Sequence, residues 1–269
     1  MKQRSIQLVM TAHARPNLCI AAIETLNLCS NSNNVVLDIF HEPTEPSVNR
    51  VVGFIQNNCL NFKQIKVHIN SNRYGWTRNS LTALTYGFKH DEYVVLVEDD
   101  QLFAKDFIEM HEYFRDEYAT CDNVFTASAG HYMCNKVQHD RKLDYSYTSH
   151  KCFHNQGWGT WINRWEEMKE NWEEFETFDD SGNAIKNYKH NGWDWKMQNV
   201  VRNNRVSMVP FLSRVHNVGM VGAHCGVRDW EKNIKLSHWA GDYITETDNT
   251  YIYRDVYDPD ETDIHYFVP

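Results

Sequence analysis

The chain has 269 residues, of which 42% are hydrophobic and 23% charged, and its formal net charge is −9. This composition is typical of a globular protein with a well-buried core, and it excludes a disordered or fibrous chain. The acidic balance argues against a stable complex with nucleic acid, although Arg202, Arg205 and Arg214 are candidates for a local phosphate contact.

The first half of the chain alternates strand and helix patterns. Repeated β-α units predict an α/β fold with a Rossmann-like, doubly wound and mostly parallel sheet. The apolar run at 93–97 is typical of a central parallel strand that is covered on both faces. The predicted strands are 5–11, 35–40, 64–69 and 93–97, and the predicted helices are 16–29, 49–59 and 77–88.

The second half is less regular. Trp161, Trp165 and Trp172 recur at helical spacing and are predicted to be core residues. The absence of a linker or repeat predicts a single domain over residues 1–269. The predicted strands of this half are 123–129 and 206–211, and the predicted helices are 159–175 and 193–203.

Three adjacent carboxylates, Glu98, Asp99 and Asp100, directly follow the fourth predicted strand. Like charges this close repel one another unless a cation or hydrogen-bond donors lie nearby. Carboxylate oxygens suit Mg²⁺ or Mn²⁺, which also bind phosphate oxygens. The alternative is a solvated acidic turn that precedes a helix. Because sheets of this kind bind ligands beyond the carboxyl ends of their strands, we favour a ligand site.

The order of motifs resembles that of the N-acetylglucosaminyltransferase I group of glycosyltransferases. The resemblance is carried by the acidic cluster with residues 101–107 behind it, by residues 72–79, and more weakly by later motifs that extend it over most of 5–225. It implies a GT-A fold, with a nucleotide-sugar-binding half at 1–120 and an acceptor-side half at 121–269. The implied activity is metal-dependent, inverting transfer of a sugar from a UDP-sugar donor.

The resemblance also implies roles for single residues. Asp100 would bind the Mn²⁺ or Mg²⁺ ion, with Glu98 and Asp99 beside the donor's ribose or sugar. Asp194 matches the general base that takes a proton from the acceptor hydroxyl. The alternative for Asp194 is that it complements the dipole of its own helix. The other implied donor-binding residues are His13, Arg15, Glu42, Arg78 and Asn79.

Further candidates lie in the second half. Trp158, Trp193 and Trp195 are candidates for a sugar pocket, because aromatic rings stack on the C–H faces of sugars. Many GT-A enzymes take a second metal ligand from a C-terminal histidine, and His224 is the candidate here. The alternative for His224 is an ordinary hydrogen-bonded histidine.

Several alternatives stay open. The acceptor is a glycan, a protein or a hydroxymethylated DNA base. A nucleotidyltransferase also joins an α/β sheet to an acidic metal site, but the glycine-rich loop expected after its first strand is here a glycine-free segment at 11–16. A third possibility is a nucleotide-sugar-binding module without catalytic activity.

The expected compartment follows from the cysteines and from hydropathy. The seven cysteines are irregularly spaced and form no Cys-x-x-Cys pair, unlike those of a disulfide framework or a structural zinc site. The sequence contains no secretory signal pattern and no apolar run of membrane-spanning length. We therefore expect a cytoplasmic protein without a membrane partner.

Overall fold

A computed structural model describes residues 4–130, 145–172, 192–219 and 251–253. Its strands are β1 (Ile6–Ala12), β2 (Val35–His41), β3 (Gln64–Ile69), β4 (Tyr93–Glu98), β5 (Gln101–Phe103), β6 (Val124–Gly130), β7 (Ser146–His150), β8 (Gln156–Trp161), β9 (Val206–Pro210), β10 (Val215–Asn217) and β11 (Ile252–Tyr253). Its helices are α1 (Pro16–Asn27), α2 (Ser47–Asn57), α3 (Gly75–Gly87), α4 (Phe107–Glu117), α5 (Ile162–Trp172) and α6 (Gly192–Lys196). A π-helical turn, Met197–Val201, follows α6.

One large sheet organises these elements. Its nine described strands run in the order β11-β7-β9-β6-β8-β4-β1-β2-β3. Strands β3, β2, β1 and β4 are parallel, whereas β8 lies antiparallel between β4 and β6. The α/β fold with a mostly parallel sheet is therefore confirmed, and strands from both predicted halves belong to the same sheet.

Both ends of every predicted element in the first half agree with the structure to within two residues. The second half needs two corrections. Residues 159–161 belong to β8, so the helix predicted over 159–175 begins only at Ile162, and 173–175 lie outside the described residues. The helix predicted over 193–203 is the short α6 followed by the π-helical turn, which ends at Val201.

The core lies on both faces of the sheet. Alternate residues of β1 point to opposite faces, with Leu8 in one buried cluster and Val9 in the other. The three tryptophans predicted to be core residues are confirmed, because Trp161, Trp165 and Trp172 are all at most 4% exposed. No helix in the described ranges is long and apolar enough to cross a bilayer.

A buried ion pair attaches β10 to the start of α4. The Arg214 guanidinium lies 3.0 Å from a carboxylate oxygen of Asp106, and both side chains are fully buried. Arg214 is therefore unable to join a phosphate-binding surface patch, which corrects the expectation from the sequence. Arg205 is instead paired with Glu167 at 2.8 Å. Strands β10 and β5 form a two-stranded ribbon beside Asp100, and the Asp106–Arg214 pair holds β10 in this ribbon.

A buried histidine predicts how stability depends on pH. His111 accepts a hydrogen bond from the Tyr93 hydroxyl at Nδ1 and donates one to the Gly157 carbonyl from Nε2, at 2.9 and 3.1 Å. Burial lowers the pKa of His111 to about 3, against the weaker opposing effect of the Gly157 carbonyl. The imidazole is therefore neutral in the folded protein, and below pH 6.5 the unfolded state binds a proton first.

As the pH falls from neutral to about 5, protonation of His111 in the unfolded state should lower the free energy of unfolding by about 2 kcal/mol. Chemical denaturation of the wild type and of His111→Gln across this range measures the effect. Glutamine can accept from Tyr93 and donate to Gly157 without titrating, so the difference between the two proteins should shift in favour of the variant as pH falls. Parallel pH profiles would contradict the assignment.

Candidate functional site

The acidic cluster lies at the carboxyl edge of the sheet, between the ends of β1 and β4. The two strands are parallel, with Thr11 opposite Glu98 in register. The Asp99 amide donates to the Thr11 carbonyl at 3.1 Å, which keeps the chain after β4 against the chain after β1. The structure thereby brings His13 and Arg15 next to the carboxylates, although more than 80 residues separate them in sequence.

Arg15 bridges two of the three carboxylates. Its Nη1 donates to Asp100 Oδ2 at 2.8 Å, and its Nη2 donates to Asp99 Oδ1 in a short contact. The other Asp99 oxygen accepts the backbone N–H of His13 at 3.0 Å. Both Asp99 and Asp100 are buried, whereas the Arg15 side chain remains 32% exposed. One guanidinium thus provides the positive charge that this pair of carboxylates needs.

The environment raises the pKa of two of these acids. Burial raises the pKa of Glu98 to about 8, the Asp100 charge adds to the shift, and the Trp76 indole N–H opposes it. Burial also raises the pKa of Asp99 to about 6, although Arg15 lowers it. Without further positive charge, the site therefore holds less than its full formal negative charge at neutral pH. A bound cation would favour full ionisation of these acids.

Asn217, the last residue of β10, and the next two residues contact Asp100, and we call residues 217–219 the cradle. The Asn217 amide donates to Asp100 Oδ1 at 3.1 Å, and the Val218 N–H donates to the Asp100 carbonyl at 2.8 Å. Gly219 follows, and a Cβ at this position would lie 2.1 Å from Asp100 Oδ2. Only glycine fits this close to the oxygen. Neither Asn217 nor Gly219 was assigned a role from the sequence, where the sole signal was the weak resemblance over 213–219.

These residues fit a hard divalent cation at Asp100. Its carboxylate lies at the sheet edge, and the absence of a side chain at Gly219 preserves space beside Oδ2. Within the described ranges, no three His, Cys, Asp or Glu side chains converge on one point. A cation here would therefore rely on one carboxylate and take its other ligands from diphosphate oxygens and water, an arrangement that suits Mg²⁺ and Mn²⁺.

Trp76 connects the acidic cluster to α6. Its indole N–H donates to Glu98 Oε1 at 2.7 Å, and its ring centroid lies 5.2 Å from that of Trp193. The next residue is Asp194, which is partly exposed in the first turn of α6 and accepts a hydrogen bond from Asn155 at 3.3 Å. The role of Trp76 is not predictable from the sequence, because hydrogen bonds between distant segments leave no local pattern.

The predicted tryptophan pocket needs correction. Trp158 and Trp193 have no exposed surface and belong to the core cluster that also contains Phe153 and Trp172. Trp193 stacks on Trp172 with a centroid distance of 4.4 Å and an interplanar angle of 16°. A sugar cannot reach either ring, because aromatic neighbours enclose both. The side chain of Trp195 and the whole of His224 lie outside the described residues.

Two predicted donor-binding residues have structural partners instead. Both carboxylate oxygens of the buried Glu42 accept backbone N–H groups of Tyr74 and Gly75, at 2.7 to 3.1 Å, so Glu42 caps the start of α3. The buried Asn79 donates to the Phe40 carbonyl at 3.0 Å and accepts from Asn70 at 2.9 Å. The prediction that these side chains contact the nucleotide-sugar donor is therefore corrected. Both instead support the loop that precedes α3.

Arg78 and His13 remain available to a ligand. Arg78 is exposed, and its guanidinium carbon lies 4.3 Å above the centre of the Tyr74 ring. His13 is half-buried, and burial followed by the charge of Arg73 lowers its pKa, so its imidazole is neutral at neutral pH. The contacts described above join His13, Arg15 and Trp76 to the acidic cluster, and Trp76 relates the cluster to Trp193, the neighbour of Asp194.

Two solved structures show a distant similarity to this chain. A mannosyltransferase, PcManGT from Pyrobaculum calidifontis, solved in complex with GDP-Man and Mn²⁺, has 12% identity and a TM-score of 0.43 over 63% of this chain and 47% of its own. S. aureus TarS 1-349 has 13% identity and a TM-score of 0.46, over 77% of this chain and 58% of its own. The chain thus spans about half the length of these proteins. No family model and no curated protein sequence matches it.

The cradle generates a paired prediction. Gly219→Ala would force the new Cβ against Asp100 Oδ2, and we expect it to lower the free energy of unfolding by about 1–3 kcal/mol. Gly53→Ala is the matched control, because a Cβ at this position inside α2 meets no atom within 4 Å. Alanine there should stabilise the protein by about 0.5–1 kcal/mol. Equal effects in thermal unfolding would show that the cradle is not closed.

Proposed function

We propose that the protein is a glycosyltransferase of the GT-A type, which transfers a sugar from a UDP-sugar to an acceptor hydroxyl with the help of Mn²⁺ or Mg²⁺. The observation that carries the proposal is the Arg15–Asp99–Asp100 cluster at the carboxyl edge of a mostly parallel sheet. It combines an acidic cation site with a guanidinium suited to phosphate in one place. A plain solvated acidic turn would instead have its carboxylates exposed.

The donor would lie along the edge formed by the ends of β1 and β4. Arg15 and Arg78 carry positive charge suited to the diphosphate, and the neutral His13 can hydrogen-bond to the nucleotide. Glu42 and Asn79 contribute indirectly, because they hold the segment before α3 in place. Asp100 would hold the divalent ion, whose charge would stabilise the negative charge on the departing diphosphate.

Asp194 is proposed as the general base. It is partly exposed, and Asn155 fixes one of its oxygens while the buried Trp193 anchors the helix that carries it. Its carboxylate would take the proton from the acceptor hydroxyl as that oxygen attacks the anomeric carbon, which inverts the configuration there. The glycosidic bond to UDP breaks in the same step. The acceptor class is a glycan, a protein or a hydroxymethylated base.

Calorimetry with UDP, with and without Mn²⁺, tests the donor site. We expect Mn²⁺ to strengthen UDP binding, and Asp100→Ala to remove that enhancement. The loss should exceed the roughly tenfold effect of removing an outer-shell partner. Asp116→Ala is the control. Asp116 lies near the end of α4, where it pairs with Arg115, and its side chain is 67% exposed. Binding that ignores both metal and nucleotide would reject the proposal.

Hydrolysis of a panel of UDP-sugars, followed by mass spectrometry, tests the base and identifies the donor sugar. Asp194→Asn should lower the turnover number by about 10²–10⁴ while leaving UDP affinity nearly unchanged. Asn155→Ala removes the hydrogen bond to Asp194 but keeps the carboxylate itself, so we expect a smaller loss. Retained turnover in Asp194→Asn, or loss of its UDP binding, would refute the role of Asp194 as base.

A further inference from the structure

We propose that Arg15 is a placeholder cation: it neutralises Asp100 in the free protein and moves to the donor diphosphate when the divalent ion binds. The inference rests on the proposed function and adds to it a coupling between metal and nucleotide. Its basis is that the guanidinium occupies Asp100 Oδ2, the oxygen beside which only a residue without a side chain, Gly219, fits.

Charge neutralisation explains why a cation must be present in the free state. Asp99 and Asp100 are only 2% and 8% exposed, and adjacent buried carboxylates destabilise a fold unless they are paired. Arg15 is the cation that forms ion pairs with both of them among the described residues. Its planar guanidinium spans the two acids at once, which the point charge of a lysine cannot do.

Arg15 and a metal ion would compete for Asp100 Oδ2. The guanidinium nitrogen is 2.8 Å from this oxygen, and a bound Mg²⁺ would lie about 2.0–2.1 Å from it. Two cations at such positions repel strongly in a buried site. The other oxygen, Oδ1, already accepts from Asn217. Because of this repulsion, we expect metal binding to displace Arg15 from Asp100.

The backbone around Arg15 allows the side chain to move while the loop stays in place. The Arg15 carbonyl accepts the Cys19 N–H at 3.1 Å, and Pro16 begins α1, so the main chain is part of the first helical turn. The side chain itself is 32% exposed. After leaving Asp100, the guanidinium can pair in bidentate fashion with the diphosphate that the metal also binds.

This exchange couples the two ligands. Mn²⁺ alone must compete with Arg15 for Asp100, whereas Mn²⁺ with UDP offers Arg15 a new partner. Each ligand should therefore raise the affinity for the other, since such coupling is reciprocal. A variant without the guanidinium should bind Mn²⁺ alone more tightly than the wild type does, and it should keep only the coupling that direct bonds between Mn²⁺ and the diphosphate provide.

Titration of free Mn²⁺ by electron paramagnetic resonance, with and without UDP at one fixed near-neutral pH, tests the exchange. We expect Arg15→Gln to bind Mn²⁺ alone about tenfold more tightly and to gain less Mn²⁺ affinity from UDP than the wild type does. Arg4→Gln is the matched control, because Arg4 also pairs with two acids, Asp91 and Glu92, but at the amino end of β4. It should behave as the wild type.

Arg15→Lys keeps the charge but can hold only one carboxylate at a time, and it serves if Arg15→Gln does not fold. We expect its affinity for Mn²⁺ alone to rise by a smaller factor. Unchanged or weaker Mn²⁺ binding in the folded variant would overturn the exchange, even if the wild type binds UDP with Mn²⁺. Tighter Mn²⁺ binding in the variant, together with a wild type indifferent to UDP, would support the competition at Asp100, but it would overturn the move of Arg15 to a diphosphate and refute the proposed function.

Discussion

The candidate site depends on the pairing of one arginine with two buried carboxylates. Three acids follow a single strand, and the apolar sheet beneath them prevents full solvation of their charges. Parallel pairing of β1 with β4 places the loop that carries Arg15 within reach of Asp99 and Asp100. The same pairing makes the edge suitable for a ligand, because a site that needs one compensating cation can accept another in its place.

The end of β10 and the residues that follow it complete this arrangement, although they are far from the acidic cluster in sequence. Asn217 and Gly219 contact Asp100, which lies 117 residues earlier in the chain than Asn217. The ribbon that carries them is fixed by the Arg214–Asp106 pair, which is buried in the core. Loss of either partner would leave a buried charge unpaired, at a cost of about 3–5 kcal/mol. The geometry at Asp100 thus depends on an ion pair that lies outside the site itself.

Much of the first half could be predicted from the sequence, because its β-α units have local periodicity and short connections. The acidic cluster was identifiable for the same reason, since it follows a continuous apolar strand. The antiparallel insertion of β8 was not identifiable, because it depends on pairing between β4 and β6 rather than on a local pattern. Residue type alone also misled: Trp158 and Glu42 suit a ligand chemically, but the fold uses one as core and the other as a helix cap.

The two sides of the site are held by different forces. Ion pairs and hydrogen bonds hold the Asp100 side, whereas α6, a helix of five residues, is too short to be stable by itself and is held by the aromatic cluster around Trp193. Trp76 links the two sides of the site, since its indole N–H donates a hydrogen bond to Glu98 and its ring packs near Trp193. The position of Asp194 relative to the acidic cluster therefore follows from a contact between side chains. Aromatic packing, which resists small displacements, is well suited to maintain that position while charges at the sheet edge change partners.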